Sequence, residues 1–435
     1  MHDGHRRGQP DPRASSAARR ALFRGSIRPV SEIFDVSVRE PATTTVYGQT
    51  TRSLLRNYEL VRRFGLSRTL VAAFSYGDRY TVQDQLVEEL RRAGDDLAGC
   101  YASFTIGDHR AALAKIERHA VPNVFVDFFV GDEDGAVDGA RARRLAGDLL
   151  ATLGDLRSML PAASVGANGR PVGEIFVNFG DYFEQRDRQA AFFDALFEEV
   201  RRRPVDAICF EEYRGAGLPE DVLEAAARLR ERFPFGEHKL LAHVHGGNGL
   251  DDACNLAAVA GGADGVWAGL APTAALAGHG SSLVFLTNLF RYGNVDCLRP
   301  YDMRLAHEIV RELHRSDFAG REAMPLEMPL FGRNAYSVNL ASFSQDAPLP
   351  GLVPGAMIGA PASSRFVPLK SDRRSIEARL AELGVDGAAD GLVEALLDAV
   401  HQHLLDDLHS PTETRVDFNS AEYLTDFVAR RAGRR

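Results

Sequence analysis

The chain alternates short runs of β-branched and aromatic residues with longer segments of helical periodicity, about eight times over. The strand-like runs are predicted at 32–37, 69–74, 100–106, 122–130, 173–179, 205–211, 240–245 and 264–269. Such alternation is typical of a parallel sheet covered by helices. Eight repeats within about 250 residues favour a closed barrel over an open sheet. We therefore predict an α/β fold, a (β/α)8 TIM barrel followed by a small, mostly helical C-terminal subdomain.

The composition along the chain predicts three parts. Residues 1–28 are rich in Arg, Ala and Ser without apolar periodicity, which is typical of a disordered leader, although an Arg-rich start also fits a transit peptide. Residues 29–315 contain the predicted barrel and form the catalytic domain. Residues 316–435 form the predicted subdomain, with an irregular linker and then helices. These helices are predicted near 372–384, 389–407 and 419–431.

Charge and composition exclude several classes of protein. The net charge of −9 argues against a nucleic-acid-binding surface, which needs clustered excess cation. No apolar run approaches the roughly 20 residues of a membrane-spanning helix, so we predict no membrane partner. The four cysteines are scattered without a CxxC pair, as in a cytoplasmic protein with reduced thiols.

The sequence His243-Val244-His245 ends the seventh predicted strand. Side chains two residues apart on a strand point to the same face, so both imidazoles enter one space. Barrel enzymes build their active sites at this end of the strands. The pair therefore predicts a metal site, and two solvated histidines in a turn are the structural alternative.

A second polar group, Asp35-Val36-Ser37-Val38-Arg39-Glu40, follows the first predicted strand. Asp35 is a candidate for the carboxylate that completes a two-histidine, one-carboxylate metal site with open positions. Arg39 is a permanent cation suited to a developing enolate or alkoxide. Glu40 is a candidate for proton transfer or for orienting other groups. A surface salt-bridge cluster is the alternative for this segment alone. In a closed barrel, however, strands one and seven are separated only by strand eight, so the two polar groups are expected to lie close together.

These motifs resemble those of the DRE-TIM metallolyases, and within them the isopropylmalate/homocitrate synthase family. IFDVSVRE is similar to the family's IFD-x-[ST]-L-R-[DE] opening, and HVHGGNGLDDACNLAAVAGGA to its HxHNDxGxAxANxxAAxxAGA stretch. Weaker similarities follow the barrel, in PLFGRNAY and in SSRFVPLKSDRRSIEARLAEL. The resemblance runs from about residue 32 to 385. Its second half favours the synthases over 3-hydroxy-3-methylglutaryl-CoA lyase, which belongs to the same superfamily.

The resemblance implies roles for individual residues. It implies that Asp35, His243 and His245 bind a divalent metal (Mn, Mg or Zn) and that Arg39 polarises the carbonyl of a 2-oxo acid. His279 stands where the family often has an asparagine near the metal, and it is a further candidate ligand.

Other positions match the family's substrate-binding residues or depart from its pattern. Glu212 takes the place of an aspartate after strand six, and Tyr213 that of a threonine that helps to hold the substrate carboxylate. Asn178 stands where an acid is usual. Gly246-Gly247 replaces Asn-Asp, and Ser344 replaces a subdomain histidine that serves the acyl-CoA side. These departures indicate that the substrates differ from the well-known ones.

The function that the resemblance implies is a metal-dependent Claisen-type condensation of an acyl-CoA with a 2-oxo acid, giving a 2-hydroxy-2-alkyl diacid. Such an enzyme is an acyltransferase, and the family implies a homodimer. A carbon–carbon lyase or aldolase is the first alternative, and an inactive barrel that serves as a binding partner is another. Carboxyl transfer and Schiff-base chemistry need a lysine inside the barrel. The chain has only Lys115, Lys239 and Lys370, and none is predicted there.

Overall fold

The computed structural model of the chain describes residues 32–44, 47–75, 77–107, 109–131, 136–166, 168–247, 249–271, 278–325, 328–332, 335, 355–361, 364–366, 373–385, 391–406 and 416–433. The predicted leader and Ser344 lie outside these ranges.

Eight parallel strands close into a barrel, which confirms the predicted (β/α)8 fold. The barrel strands are β1 (Glu32–Asp35), β2 (Thr69–Ala73), β3 (Cys100–Thr105), β4 (Asn123–Phe128), β7 (Ile175–Phe179), β8 (Ala207–Glu212), β9 (Lys239–Val244) and β10 (Gly265–Ala268). Their order around the barrel is β1-β10-β9-β8-β7-β4-β3-β2. Each predicted strand coincides with an observed one. The structure adds a hairpin, β5 (Ser164–Val165) with β6 (Pro171–Val172), whose strands are too short to give a periodic signal.

Helices follow the strands and cover the outside of the barrel. They are α1 (Glu40–Thr44), α2 (Thr51–Phe64), α3 (Val82–Arg92), α4 (His109–His119), α5 (Gly139–Met159), α6 (Tyr182–Gln185), α7 (Ala190–Arg201), α8 (Pro219–Arg232), α9 (Asp251–Gly261), α10 (Ser282–Arg291) and α11 (Ala306–Asp317). The helices α2 and α3 begin with capping boxes at Thr50 and Thr81, which satisfy backbone N–H groups of the first turn. In the described ranges, no helix combines the length and apolar character that crossing a bilayer requires.

Aromatic side chains fill the inside of the barrel. Phe34 stacks on Trp267 with ring centroids 5.1 Å apart and meets Tyr101 edge-on at 4.8 Å. Phe125 and Phe176 complete the aromatic part of this cluster, and all five side chains are buried. The interior is therefore packed solid, as in other barrels of this size. Inward-pointing polar residues occur near the C-terminal ends of the strands, where the loops begin.

The chain divides into two compact units, Met1–Ala323 and Met324–Arg435. The second unit contains the three helices predicted at the C-terminal end, namely α12 (Arg373–Glu382), α13 (Leu392–Asp406) and α14 (Ala421–Ala432). They pack around an apolar core of their own, which includes Ile376, Leu396 and Leu424. The domain bounds predicted at residues 28/29 and 315/316 stay predictions.

Candidate metal centre

Three histidines meet at the C-terminal end of the barrel strands. His243 lies in β9, and His245 follows it on the same face of the extended chain. His279 precedes α10 and forms an isolated antiparallel bridge with His245. The ring centroids of His243 and His245 are 4.9 Å apart, and the His279 centroid lies 4.8 Å from the first and 4.4 Å from the second.

The three imidazoles are buried and are suited to bind a metal ion. Their residues are 6%, 5% and 1% exposed in sequence order. Burial, reinforced by the neighbouring imidazoles, holds the pKa of His243 and of His279 well below its usual value, so both rings are neutral. Among the described residues, neither ring nitrogen of His243 has a hydrogen-bond partner. One nitrogen from each of His243, His245 and His279 lies within 4.8 Å of the others, which fits a divalent ion.

Asp35, the fourth predicted ligand, does not join this group. Its strand neighbours Phe34 and Val36 belong to the barrel interior, so strand alternation turns the Asp35 side chain to the outer face of β1. There its Oδ1 accepts hydrogen bonds from the Ser37 hydroxyl at 2.7 Å and the Ser37 backbone N–H at 3.3 Å. Burial raises the pKa of Asp35 to about 7. The structure thus places the Asp35 carboxylate apart from the three histidines, and its role as a metal ligand stays a prediction.

The carboxylate beside the histidines belongs to Glu211, a residue that the sequence patterns did not single out. Glu211 is paired in register with His243 across β8 and β9. Its Oε1 lies 3.0 Å from His245 Nε2, within hydrogen-bond distance, and its Oε2 lies 3.5 Å from His243 Nδ1. Burial raises the pKa of Glu211, and the hydrogen bond and charge of His245 act against this.

Two further residues extend the polar group into the barrel. The amide of Asn178 donates to Glu211 Oε2 at 2.7 Å and to Asp127 Oδ1 at 3.0 Å. Burial, followed by the charge of Glu211, raises the pKa of Asp127 to about 7. Asp127 is partly exposed, whereas Asn178 is fully buried. The sequence signal for Asp127 is a single acid within an apolar strand, NVFVDF. The role of Asn178 in substrate binding stays a prediction, but its amide already organises two carboxylates.

Arg39 and Glu40, the predicted catalytic residues, lie beside this polar group. Their side chains form an ion pair, with Glu40 buried and Arg39 partly exposed. The guanidinium is close enough to lower the pKa values of Asp127, His243 and His279. The structure therefore brings a permanent cation near the three histidines, and the catalytic roles of Arg39 and Glu40 stay predictions.

The other predicted substrate-binding residues, Glu212 and Tyr213, occupy different positions. Glu212 Oε1 accepts a hydrogen bond from the Ala216 backbone N–H at 3.0 Å, so this carboxylate holds the loop between β8 and α8. Tyr213 is 55% exposed, and its ring centroid lies 5.8 Å from that of His245. Tyr213 thus lies near the histidines, while Glu212 supports the loop. Their role in substrate binding stays a prediction.

The loops that carry these groups touch at two glycines. A Cβ atom on Gly247 would lie 2.1 Å from the Gly215 carbonyl oxygen, and one on Gly215 would lie 2.5 Å from the Gly247 backbone. Both residues have positive φ, 65° for Gly215 and 29° for Gly247. A side chain does not fit between these backbones, which is a physical reason for glycine where the family pattern has an acid.

The variant Gly247→Ala is expected to lower the free energy of unfolding by about 1–3 kcal/mol, because the added methyl group overpacks the contact. It is also expected to weaken metal binding by displacing His245. Chemical denaturation and metal titration measure the two effects. Gly249→Ala is the matched control, since Gly249 also has positive φ but a Cβ atom added there would meet nothing within 4 Å. Equal effects of the two substitutions would contradict the importance of this contact.

No known protein family matches the sequence, and no curated protein does. Several solved structures share the fold. A hydroxymethylglutaryl-CoA lyase from Pseudomonas aeruginosa is 12% identical, with a TM-score of 0.48 over 68% of this chain and 94% of its own. The Brucella melitensis HMG-CoA lyase is 14% identical, with a TM-score of 0.47 over 66% and 99%. The carboxyl transferase domain of Rhizobium etli pyruvate carboxylase is 12% identical, with a TM-score of 0.47 over 97% and 64%. These similarities concern the fold alone.

Proposed function

We propose that this chain is a divalent-metal enzyme that makes or breaks a carbon–carbon bond next to a carboxylate. The observation that carries the proposal is the group of three buried histidines beside the Arg39 guanidinium, in which the ring nitrogens of His243 have no hydrogen-bond partner among the described residues. The group lies at the C-terminal end of the barrel strands, where enzymes of this fold carry out their chemistry. When bound, a divalent ion supplies Lewis-acid polarisation of a carbonyl oxygen.

The residues around the histidines suit enolate chemistry. Arg39 has a planar guanidinium, a group that matches the carboxylate of a 2-oxo acid and stabilises negative charge as it develops. Glu40 is paired with Arg39 and so orients its guanidinium. Asp127 is partly exposed at the mouth of the barrel, and its pKa of about 7 suits a group that takes up and releases protons near neutral pH.

In the condensation direction, the Asp127 carboxylate takes a proton from the α-carbon of an acyl-CoA. The electron pair of that C–H bond forms the new carbon–carbon bond to C2 of the 2-oxo acid, and the C2 carbonyl electrons move to its oxygen. That oxygen then takes up a proton. Water hydrolyses the thioester, releasing CoA and a 2-hydroxy-2-alkyl diacid. The synthase-like motifs favour this direction, and a lyase breaks the same kind of bond with the electrons moving in reverse.

The test is the release of free thiol from acetyl-CoA by the full-length chain, with Mn²⁺, Mg²⁺ or Zn²⁺ and a panel of 2-oxo acids. Release that requires both a metal ion and one oxo acid supports the synthase. Formation of an acyl-CoA and an oxo acid from a hydroxy-acyl thioester supports the lyase. Protein that binds metal but catalyses neither reaction would overturn the proposal and favour a barrel that acts only by binding.

The variant Arg39→Ala is expected to keep its metal ion and to lose turnover by about 10²–10³-fold, the range seen when a transition-state donor is removed. Metal content after dialysis and the steady-state rate are the two measurements. Arg52→Ala is the control, because Arg52 is an exposed arginine of α2. An Arg39→Ala protein that turns over at the wild-type rate would remove Arg39 from the proposed mechanism.

A further inference from the structure

In each of the three histidines, one ring nitrogen lies near a carboxylate or a backbone carbonyl oxygen. The second nitrogen is the one that would bind a metal ion. His245 Nε2 lies 3.0 Å from Glu211 Oε1, and a hydrogen bond to this carboxylate leaves a lone pair on Nδ1. His279 Nδ1 lies 3.5 Å from the Val244 carbonyl oxygen, and Trp267 Nε1 donates to His279 Nε2 at 3.4 Å. These contacts put the proton on Nδ1 and the lone pair on Nε2 of His279, and a metal ion bound there would take the place of the Trp267 N–H. His243 Nδ1 faces Glu211 Oε2 at 3.5 Å.

This arrangement matches the surroundings of metal-binding histidines in general. A histidine that binds a metal ion commonly donates its other N–H to a carboxylate or to a backbone carbonyl, which fixes the tautomer and the ring orientation. Here Glu211 faces both histidines of the His243/His245 pair, and the Val244 carbonyl faces His279. Asn178 in turn holds Glu211 with a 2.7 Å hydrogen bond.

The donor set has consequences for the choice of metal ion. Three imidazoles offer three nitrogen ligands, and among the residues described no carboxylate is part of the group. Imidazole suits Zn²⁺ and its neighbours, whereas Mg²⁺ and Mn²⁺ prefer carboxylate, carbonyl and water oxygens. Three protein ligands also leave a position open for a substrate oxygen.

We propose that the metal centre is a three-imidazole site, formed by His243, His245 and His279 and oriented by Glu211, that selects Zn²⁺ or Co²⁺ over Mg²⁺ and Mn²⁺. In this assignment Glu211 is a positioning residue, and Asp35 takes no part in metal binding. The inference rests on the proposed function only in placing a metal ion at this site. Its tests measure binding and not turnover.

The first test is a metal titration of untagged, metal-free, full-length protein, followed through tryptophan fluorescence. Trp267 is the only tryptophan in the chain, and its ring lies 4.3 Å from that of His243, so its emission reports on this site. We expect the Kd of Zn²⁺ to be lower than that of Mg²⁺ by about 100-fold or more, following the ligand preferences of the two ions. The Co²⁺ form is expected to show the intense visible bands of four- or five-coordinate cobalt.

The second test uses variants that separate the possible ligand sets. Glu211→Gln is expected to raise the Kd of Zn²⁺ by about 10–100-fold, the usual effect of losing an orienting partner, and to shift the cobalt spectrum. His279→Asn replaces a nitrogen ligand by a carbonyl oxygen, so the preference for Zn²⁺ over Mg²⁺ is expected to fall. Asp35→Asn keeps the size of the side chain and is expected to leave the Kd of Zn²⁺ unchanged.

Each result decides between the possibilities. Equal affinity for Mg²⁺ and Zn²⁺, or loss of Zn²⁺ binding in Asp35→Asn, would overturn the three-imidazole site. An unchanged Kd in Glu211→Gln would overturn the orienting role of Glu211. Each of these results would leave the proposed function standing. The expected binding pattern without any turnover would overturn the proposed function and support the site. Protein that binds none of these ions would refute both.

Discussion

Replacing His243 by alanine is expected to abolish metal binding at the site and to stop turnover. The loss exceeds the roughly 10–100-fold that follows removal of an orienting partner, because a direct ligand is removed. The fold is expected to survive. His243 makes no hydrogen bond among the described residues, so its removal leaves no new unsatisfied group, and we expect the free energy of unfolding to change by less than about 2 kcal/mol.

Three measurements check this result in one preparation. Metal content after dialysis reports on binding, thiol release reports on activity, and denaturant unfolding reports on stability. Addition of Zn²⁺ is expected to change the emission of Trp267 in the wild-type protein and to leave it unchanged in His243→Ala. His307→Ala is the matched control, since His307 lies on α11, outside the group of three histidines. A His243→Ala/His245→Ala protein with full activity would show that the site has been placed wrongly.

The sequence predicts the histidine pair well because strand periodicity alone determines it. Two histidines separated by one residue share a face of any strand that contains them. An error in the predicted ends of the strand therefore does not change this prediction. His279 could be named only through the family pattern, because its place depends on how the loop before α10 folds back against His245.

The same periodicity could not decide which face of β1 carries Asp35. Both faces of a strand in a parallel barrel are buried, so both carry apolar residues and the pattern does not mark the inside. A shift of the strand register by one residue moves every side chain to the opposite face of the strand. The same ambiguity affects the adjacent acids Glu211 and Glu212. The family pattern points to Glu212, and only the register with His243 shows that Glu211 faces the histidines.

A second buried polar group, centred on Arg68, lies at the N-terminal ends of the barrel strands, opposite the histidines. The Arg68 guanidinium forms two hydrogen bonds with Glu174, at 2.9 and 2.8 Å, and one with Glu32 at 2.6 Å. The hydroxyl of Tyr101 also donates to Glu174, and Lys239 lies 3.3 Å from Glu32. Glu32 and Lys239 begin their strands, and Arg68 and Glu174 directly precede theirs. Tyr101 is the second residue of β3, so this group joins five strands at their N-terminal ends.

The Arg68→Met variant is expected to lose about 3–5 kcal/mol of unfolding free energy, because it leaves the Glu174 carboxylate buried beside Glu32 without its main partner. Denaturant unfolding at neutral pH measures the loss. Arg63→Met is the matched control. Its ion pair with Glu308 is exposed, at 50% and 56% of the two side chains, so its removal is expected to cost less than about 1 kcal/mol.

The pH dependence of the Arg68→Met effect tests its electrostatic origin. Burial acts to raise the pKa of Glu174, but the hydrogen bonds and charge of Arg68 outweigh it and hold the pKa below the ordinary value of 4.5. A carboxylate with a lowered pKa in the folded state stabilises the protein above its unfolded-state pKa and loses that contribution as the pH falls. The difference between wild type and Arg68→Met is therefore expected to shrink below about pH 4.5. A difference that stays constant into acid would indicate that Arg68 stabilises the barrel through packing of its aliphatic stem and not through charge.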